Sequence, residues 1–373
     1  MNKKACIVQI SLFLIFIGSI FLLNLFLPAK EFSEVENKYL KQMPKFTWND
    51  FIFGSFTTDF EEYASDQFVL RDNWIALKAA AELATGKGEN NDVYYCSDGS
   101  LITRFNAPDT DNILKKAEYI NTFAEKSKLP VYVGIIPGSA EIWRDKLPDN
   151  APNDSQKALI DTLYSALNTQ TIDFFTLLSD HKDEYIFYHT DHHWTSLGAY
   201  YGYTAIMDAL GMEANAAEHY TVKTVSDQFL GTTYSSSGFT WVKPDSIQTY
   251  VQPSSKLHIL NYSSGQPTET PLYDSSYLEK KDKYSMFFGG ITPLLEIETG
   301  NVDLPSLLII RDSYMDSLSP FLLEYFSHIS IIDLRYYNGN ITEYAQEHDL
   351  DMALICYSAA NFSSDMNLYK LAR

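Results

Sequence analysis

Positive charge and cysteine are both scarce in this chain. Lysine and arginine number 28 against 48 aspartates and glutamates, a formal net charge of −20 in 373 residues. A protein that grips nucleic acid needs a basic surface to neutralise phosphate, so that class of partner is excluded. The three cysteines stand far apart, at positions 6, 96 and 356, and no zinc or redox spacing exists among them. Cys6 falls in an apolar run, while Cys96 and Cys356 are expected either to share one disulfide or to serve as small buried apolar residues. No internal repeat or low-complexity tract appears. Apolar residues are plentiful: 45% of the chain is hydrophobic and 14% aromatic, enough to build a packed core and to exclude wholesale disorder.

Charge is missing altogether between Lys4 and Lys30, in "CIVQISLFLIFIGSIFLLNLFLPAK". As a helix this run is about 35 Å long, enough to cross a hydrocarbon core of about 30 Å. It exceeds the apolar region of an ordinary signal peptide, and no A-x-A cleavage site follows it. Residues 1–30 are therefore expected to be a cytoplasmic tip and an uncleaved transmembrane anchor. Lys3 and Lys4 predict that end in the cytoplasm and residues 31–373 outside.

Residues 31–90 read as a membrane-proximal helical segment packed on the main domain, with Phe60, Tyr63, Phe68, Leu70, Trp74, Leu77 and Leu83 as an apolar stripe ending at Gly86. Residues 91–373 alternate strand and helix. "LPVYVGIIP" is a buried strand, residues 154–169 a helix capped by Asp154 or Ser155, and "TIDFF" and "YIFYH" short strands. Residues 195–212 form a helix with Thr195 or Ser196 as N-cap and Gly211 at its end. "SLLIIRDSY" is strand then turn, "SPFLLEYF" helix, and "HISIIDLRYY" and "DLDMALICYS" strands. The expected fold is α/β, a mainly parallel sheet with helices on both faces. Ser/Thr/Tyr-rich text at about 213–300 is expected to be a β-rich insertion in the same domain.

Among eight histidines, His192 and His193 alone combine a strand end, a neighbouring carboxylate and a following helix start, in "FYHTDHHWTSLGAYYG". A metal site could use His189, Asp191 and His193, at alternate positions of an extended segment, but further ligands are not evident and the H-E-x-x-H helix is missing. A nucleophile needs a hydroxyl on a sharp turn after a strand, where backbone N–H groups can stabilise developing negative charge. "LLIIRDSYMDS" offers one, Ser313. His193 would be its base, and Asp191 would hold the imidazole tautomer. Taken singly, Ser313 reads equally as a helix N-cap, His193 as a loop histidine, Asp191 as an N-cap and Trp194 as a core aromatic. Their joint occurrence favours chemistry. The backbone N–H of Ser313 or Tyr314 would face the oxyanion, with Arg335 or Tyr357, at the ends of the next two predicted strands, as a remote donor or sugar contact. The tyrosines of 234–288 either line a saccharide groove or reflect strand propensity.

The D-H-H-W at 191–194 resembles the motif that names the DHHW proteins, which are similar to alginate O-acetyltransferases and other SGNH-hydrolase-like enzymes. "VENKYLKQMPKFTWNDFIFGSFTTDFEEYASDQFVLRDNW", "IIPGSAEIWRDKLP", "DQFLGTTYSSSG" and "LLIIRDSYMDSLSPFL" extend the resemblance over about residues 34–360. It implies Ser313 as nucleophile, His193 as base and Asp191 as its orienter, with no cofactor and no metal. It also implies an extracytoplasmic enzyme that takes acetyl from a membrane-bound O-acyltransferase and places it on a polysaccharide hydroxyl. An SGNH-type carbohydrate esterase and a non-catalytic scaffold of an exopolysaccharide machine are the alternatives. The resemblance departs at Gly138 and Ser139, where relatives often carry a basic residue. No carbohydrate-binding module is expected after the last strand, so alginate itself is not indicated.

Overall fold

The segments Ser306–Arg311 and Met352–Ser358 carry aliphatic residues at successive positions without a polar alternation, and nearly every residue in them is buried. That pattern belongs to strands covered on both faces. A computed structural model describes residues 3–252 and 256–373; residues 1–2 of the expected cytoplasmic tip and 253–255 of the expected insertion lie outside the described residues. The chain divides into two units, one formed by residues 1–91 with 234–241 and the other by 92–233 with 242–373.

The first unit is helical: α1 (Lys3–Phe26), α2 (Trp48–Ile52), α3 (Ser55–Asp66) and α4 (Arg71–Ala84). Asn24 in the last turn of α1 accepts a hydrogen bond from the Val69 N–H at 2.8 Å. The expected apolar stripe of this segment is broken between α3 and α4, where Leu70 turns left-handed, and Phe60, Phe68, Leu70, Trp74 and Leu77 face outward instead of into a core.

The second unit holds strands β1 (Val131–Ile136), β2 (Gln170–Ile172), β3 (Thr221–Phe229), β4 (Asp245–Val251), β5 (His258–Asn261), β6 (Thr268–Glu269), β7 (Leu294–Glu298), β8 (Ser306–Arg311), β9 (His328–Ile332) and β10 (Met352–Ser358). Eight of them form one sheet in the order β6-β5-β7-β9-β8-β10-β1-β2. The pairs from β9 to β2 are parallel, with Ile309 beside Ile331 and Leu354, and β7, β5 and β6 extend the edge in antiparallel fashion. The insertion therefore adds strands to the main sheet, together with a separate β3–β4 ribbon.

The helices of this unit include α5 (Thr110–Ser127), α6 (Gln156–Ser165), α7 (Phe174–Asp180), α8 (Ser196–Leu210), α9 (Tyr314–Leu318), α10 (Ile341–Glu347) and α11 (Ala359–Ser364). Parallel crossovers are right-handed, so connections running in opposite senses along the sheet lie on opposite faces. The crossovers β1 to β2 and β9 to β10 run one way, and α6, α10 and α11 pack in one group with α5; β8 to β9 runs the other way, and α9 packs on α8, which packs on α7. Helices thus cover both faces, as expected. The chain leaves β8 on one face and β10 on the other, which opens a crevice at their carboxyl ends.

Local signals account for the helix limits. Ser155 caps α6, Thr195 caps α8 by accepting the Gly198 N–H, and Gly211 ends α8 at φ 68°. A Cβ at Gly198 would sit 2.2 Å from the Ile186 carbonyl oxygen, so glycine is what lets α8 press against the preceding loop. Three short expectations differ. The strand within "TIDFF" stops at Ile172 because Asp173 caps α7. "YIFYH" forms only an isolated bridge between Phe187 and Trp194, since its polar groups serve a loop. "SPFLLEYF" tightens into a 3-10 turn at Ser319–Leu322 around Pro320. Cys96 and Cys356 are buried and unbridged.

Candidate active site

Strand β8 ends at Arg311, and the next two residues turn into the short helix α9. Asp312 builds that turn. Its Oδ1 accepts the Tyr314 N–H at 3.0 Å, and its Oδ2 accepts from the Ser358 N–H at 2.9 Å, the Ser358 hydroxyl at 2.7 Å and the Asn361 amide at 2.7 Å. The ends of β8 and β10 are thereby tied together. Ser313 occupies the N-cap position of α9, yet its hydroxyl makes no capping bond. Its Oγ instead meets His193 Nε2 at 2.7 Å. Ser313 is half-buried, so one side of that contact remains open to a reactant.

His193 reaches this position from a tight loop. The Tyr188 N–H bonds the His193 carbonyl at 3.2 Å and the Thr195 N–H bonds the Ile186 carbonyl at 2.9 Å, closing the loop on itself. Asp245 at the start of β4 braces it, accepting the N–H of His189 at 2.9 Å and of Thr190 at 2.8 Å. Asp191 then accepts both the Nδ1–H and the backbone N–H of His193 on Oδ1, at 2.6 and 3.0 Å. Its Oδ2 accepts the N–H and hydroxyl of Thr232 at 2.7 and 2.9 Å. Four donors converge on one buried carboxylate. Burial alone would raise its pKa, but the His192 and His193 rings, the His193 hydrogen bond and the Thr232 N–H hold it well below the usual carboxylate range. Gly231 is required beside it, because a Cβ there would lie 2.2 Å from Asp191 Oδ2.

Aromatic rings fix the imidazole. Tyr284 stacks on His193 with centroids 3.9 Å apart and planes 10° from parallel, and its hydroxyl lies 3.0 Å from both the Ser313 carbonyl and Ser317 Oγ. Trp194 is fully buried and donates its indole N–H to the Tyr314 carbonyl at 2.9 Å, with Ser317 Oγ at 3.1 Å. The Tyr314 hydroxyl donates to the His192 carbonyl. Beneath the turn lies a buried charge cluster. Arg311 NH2 is 2.8 Å from Asp316 Oδ1, too misaligned for a hydrogen bond, and NH1 is 3.7 Å from Asp333 Oδ2. Burial pushes the Asp316 carboxyl up to about 7 against the pull of Arg311 and His193, with Asp333 and Asp312 adding to the rise.

The structure brings Asp191, His193 and Ser313 into one hydrogen-bonded chain. The metal set considered from spacing is not assembled, because the His189 ring packs edge-on to Trp143 and Tyr185. Asp191, His192 and His193 do cluster, but both His193 nitrogens and both Asp191 oxygens already have partners, which suits a proton relay better than metal ligation. Of the expected oxyanion donors, the Tyr314 N–H is taken by Asp312, leaving the Ser313 N–H as the candidate from this turn. The Arg335 guanidinium is gripped by Asp333 at 2.9 and 2.7 Å, a fork that raises its pKa. Tyr357 is fully buried, and its hydroxyl has no hydrogen-bond partner among the described residues. Arg335 and Tyr357 line one cavity of about 290 Å³ together with Asp312, Asn361 and Asp365. Asp312, Thr232, Gly231, Asp245 and Tyr284 were not singled out from sequence. Only Asp312 had a local signal, as the residue before the serine in "RDSY".

A comparison with curated protein sequences returns no match. Among solved structures, a DHHW family protein from Eubacterium siraeum is 24% identical and superposes with a TM-score of 0.65, over 76% of this chain and 95% of that one. Bacillus cereus PatB1, solved with a sulfonyl adduct, is 21% identical with a TM-score of 0.65, over 75% of this chain and 98% of that one. The O-acetyltransferase domain of Pseudomonas putida AlgJ is more distant, 11% identical with a TM-score of 0.47, over 73% of this chain and 92% of that one. The first two likenesses show a shared fold. A family model, DHHW protein, matches residues 117–332, more than half of the sequence and including both the histidine loop and the serine turn; the chain belongs to the DHHW family.

Proposed function

We propose that this protein is a membrane-anchored, extracytoplasmic O-acetyltransferase that moves an acetyl group through an acetyl-serine onto a polysaccharide hydroxyl. The observation that carries the reading is the Ser313–His193–Asp191 chain, at 2.7 and 2.6 Å, with the serine hydroxyl free of any capping duty. In the first half-reaction His193 Nε2 takes the Ser313 proton while Oγ attacks the acetyl carbonyl of the donor. The bond to the donor's leaving group then breaks, and that group takes the proton from His193. In the second half-reaction His193 takes a proton from a sugar hydroxyl, the sugar oxygen attacks the acetyl-serine, and Ser313 leaves reprotonated. Asp191 holds the Nδ1–H tautomer and offsets the imidazolium charge at both steps. The Ser313 N–H is the oxyanion donor assigned here, with Arg335 and Tyr357 as sugar contacts in the neighbouring cavity.

The acetyl donor in this scheme is a membrane-bound O-acyltransferase. Residues 1–30 are the anchor, 31–90 the membrane-proximal segment and 91–373 the catalytic domain with its insertion at about 213–300. The 24-residue α1, uncharged from Ala5 to its end and with no buried residue, supports an anchor. So do the bonds that join its end to the folded unit, Asn24 to Val69 and Lys30 to Gln67, which a cleaved leader would not need. The test is release of p-nitrophenol from p-nitrophenyl acetate, repeated with labelled acetyl and an oligosaccharide. Ser313→Ala is expected to abolish the release and the label on sugar; unaltered turnover in that variant would overturn the nucleophile, and label that never reaches sugar would overturn the transferase.

A further inference from the structure

The first unit turns its large apolar side chains outward. Trp48 is 71% exposed, Phe53 79%, Leu70 62% and Leu77 57%. They form two patches. In one, Phe46 gathers Trp48, Phe51 and Phe56 at ring-centroid distances of 5.3, 5.9 and 5.1 Å. In the other, Trp74 and Leu77 lie three apart on one face of α4, and Leu70 stands at the N-cap just before it. Leu70 is held at φ 57° and ψ 28°, a conformation that β-carbon sterics disfavour, and there it shows its side chain to solvent.

Both patches are fastened to the end of the apolar helix. Asn24 in α1 accepts the N–H of Val69, and the carbonyl of Val69 accepts the Trp74 indole N–H at 3.1 Å. The Gln67 amide bonds Lys30 through both its oxygen and its nitrogen at 2.8 Å, and its nitrogen also reaches the Lys41 carbonyl at 3.0 Å. Gln42 donates to the Lys30 carbonyl at 2.9 Å. Lys30 is the first charge after the run, and so marks the boundary of the hydrocarbon. Phe46 follows Gln42 by four residues, within about 14 Å of it even if fully extended. Three of the nearby cations are already neutralised, Lys38 by Asp66 at 2.8 Å, Lys41 by Asp59 at 2.7 Å and Arg71 by Glu36 at 2.9 Å. Aromatic side chains are favoured at the level of lipid headgroups, and apolar faces of surface helices bury there.

We propose that Phe46, Trp48, Phe53, Leu70, Trp74 and Leu77 form a collar that sinks into the outer interface of the bilayer through which α1 passes, and that the membrane, not a protein core, covers the stripe. The binding is apolar, so it does not depend on anionic lipid. This rests on the anchor reading above, and the test separates the two. The full chain is reconstituted in phosphatidylcholine vesicles with brominated acyl chains, and tryptophan emission is compared with that in unbrominated vesicles. Trp143 and Trp194 are fully buried, and Trp241, which is 44% exposed, is replaced by phenylalanine in every protein compared. Quenching is expected, unchanged on adding phosphatidylglycerol, reduced by Trp48→Phe and by Trp74→Phe and lost in the double variant, while turnover of p-nitrophenyl acetate stays at the parent level. A chain that resists alkaline extraction yet shows no quenching, or quenching that survives in the double variant, overturns the collar and leaves the anchor. Release of the chain by alkaline extraction overturns the anchor, and the collar's placement with it.

Discussion

Replacing Asp191 by asparagine tests the site more sharply than removing the serine, because it changes no heavy-atom count and leaves Ser313 in place. The buried carboxylate receives four donors, two from His193 on one oxygen and two from Thr232 on the other. An asparagine has only one oxygen to offer. If its oxygen faces His193, its NH2 group opposes the Thr232 N–H and hydroxyl, and at least one buried donor loses its partner, which costs about 1–3 kcal/mol of stability. If its NH2 faces His193, Nδ1 must become an acceptor, the imidazole proton moves to Nε2, and the Ser313 hydroxyl loses its base. That wrong tautomer accounts for a fall of about 10⁴ in turnover in the serine-protease template. Acetyl-serine formation from p-nitrophenyl acetate is therefore expected to fall by about 10³ to 10⁴, with near-ultraviolet circular dichroism unchanged and the unfolding midpoint lowered. The sign with pH follows from the same bonds. The folded carboxyl lies well below its unfolded value, so its stabilisation is present above about pH 4 and lost only as acid approaches the depressed folded pKa. Turnover within about tenfold of the parent protein would refute the assignment of Asp191 as the group that orients the base.

Gly231→Ala puts a methyl group 2.2 Å from Asp191 Oδ2 and 2.3 Å from its Cβ, so the carboxylate must shift by about 1 Å; a displacement of that size is expected to cost about 10² in turnover. Gly211→Ala, at φ 68° with nothing within 4 Å, should lower stability by about 1 kcal/mol and leave turnover alone, so equal kinetic effects from the two would count against the clash. Asp316, raised to about 7 by burial first, holds its proton in the folded state over a window where the unfolded chain has lost it. Stability should fall as pH rises from about 4 to 7, by on the order of 4 kcal/mol at most, and level off above. Urea unfolding at pH 5 and pH 8 checks this, and Asp316→Asn should remove that part of the slope; a slope left intact in the variant would show that another group carries it.

The parts legible in the sequence were those where one local rule decides. Ile309 and Ile310 in β8 and Leu354 and Ile355 in β10 belong to aliphatic runs too short for helices, and the crevice at their carboxyl ends followed from the parallel order. Thr195 and Gly211 bounded α8 by capping chemistry. What stayed hidden depends on distant chain. Tyr284 comes from the insertion, 91 positions after the imidazole it stacks on, and no spacing rule connects them. Asp245 looks like any acidic residue at a strand start until its two oxygens are seen holding His189 and Thr190. "YIFYH" has the composition of a strand but is drawn into a loop because its backbone closes on the motif that follows. The outward stripe at Leu70, Trp74 and Leu77 has the spacing of a core helix, and periodicity alone does not say whether lipid or protein covers it.

The four motif letters acquire separate physical tasks once the turn at Ser313 is seen against them. Asp191 and His193 make the polar chain to the hydroxyl. His192 contributes its backbone carbonyl to the Tyr314 hydroxyl, and Trp194 its indole N–H to the Tyr314 carbonyl. The histidine loop and the serine turn are therefore pinned at three points, on Ser313 and on both ends of Tyr314. A contact of 2.7 Å between side chains on loops 120 residues apart would wander if it were the only tie, since each side chain swings about several bonds. With Tyr314 clamped on either side of it, the backbone that carries the imidazole shifts against the serine turn only by moving a buried tryptophan and a buried tyrosine together, while the Asp191 bond and the Tyr284 ring hold the imidazole's own rotation. Tyr314, expected as an oxyanion donor, thus spends its N–H on the turn and its carbonyl and hydroxyl on holding the two loops in register, and in the proposed scheme the N–H of the residue before it is the one this turn offers to the oxyanion.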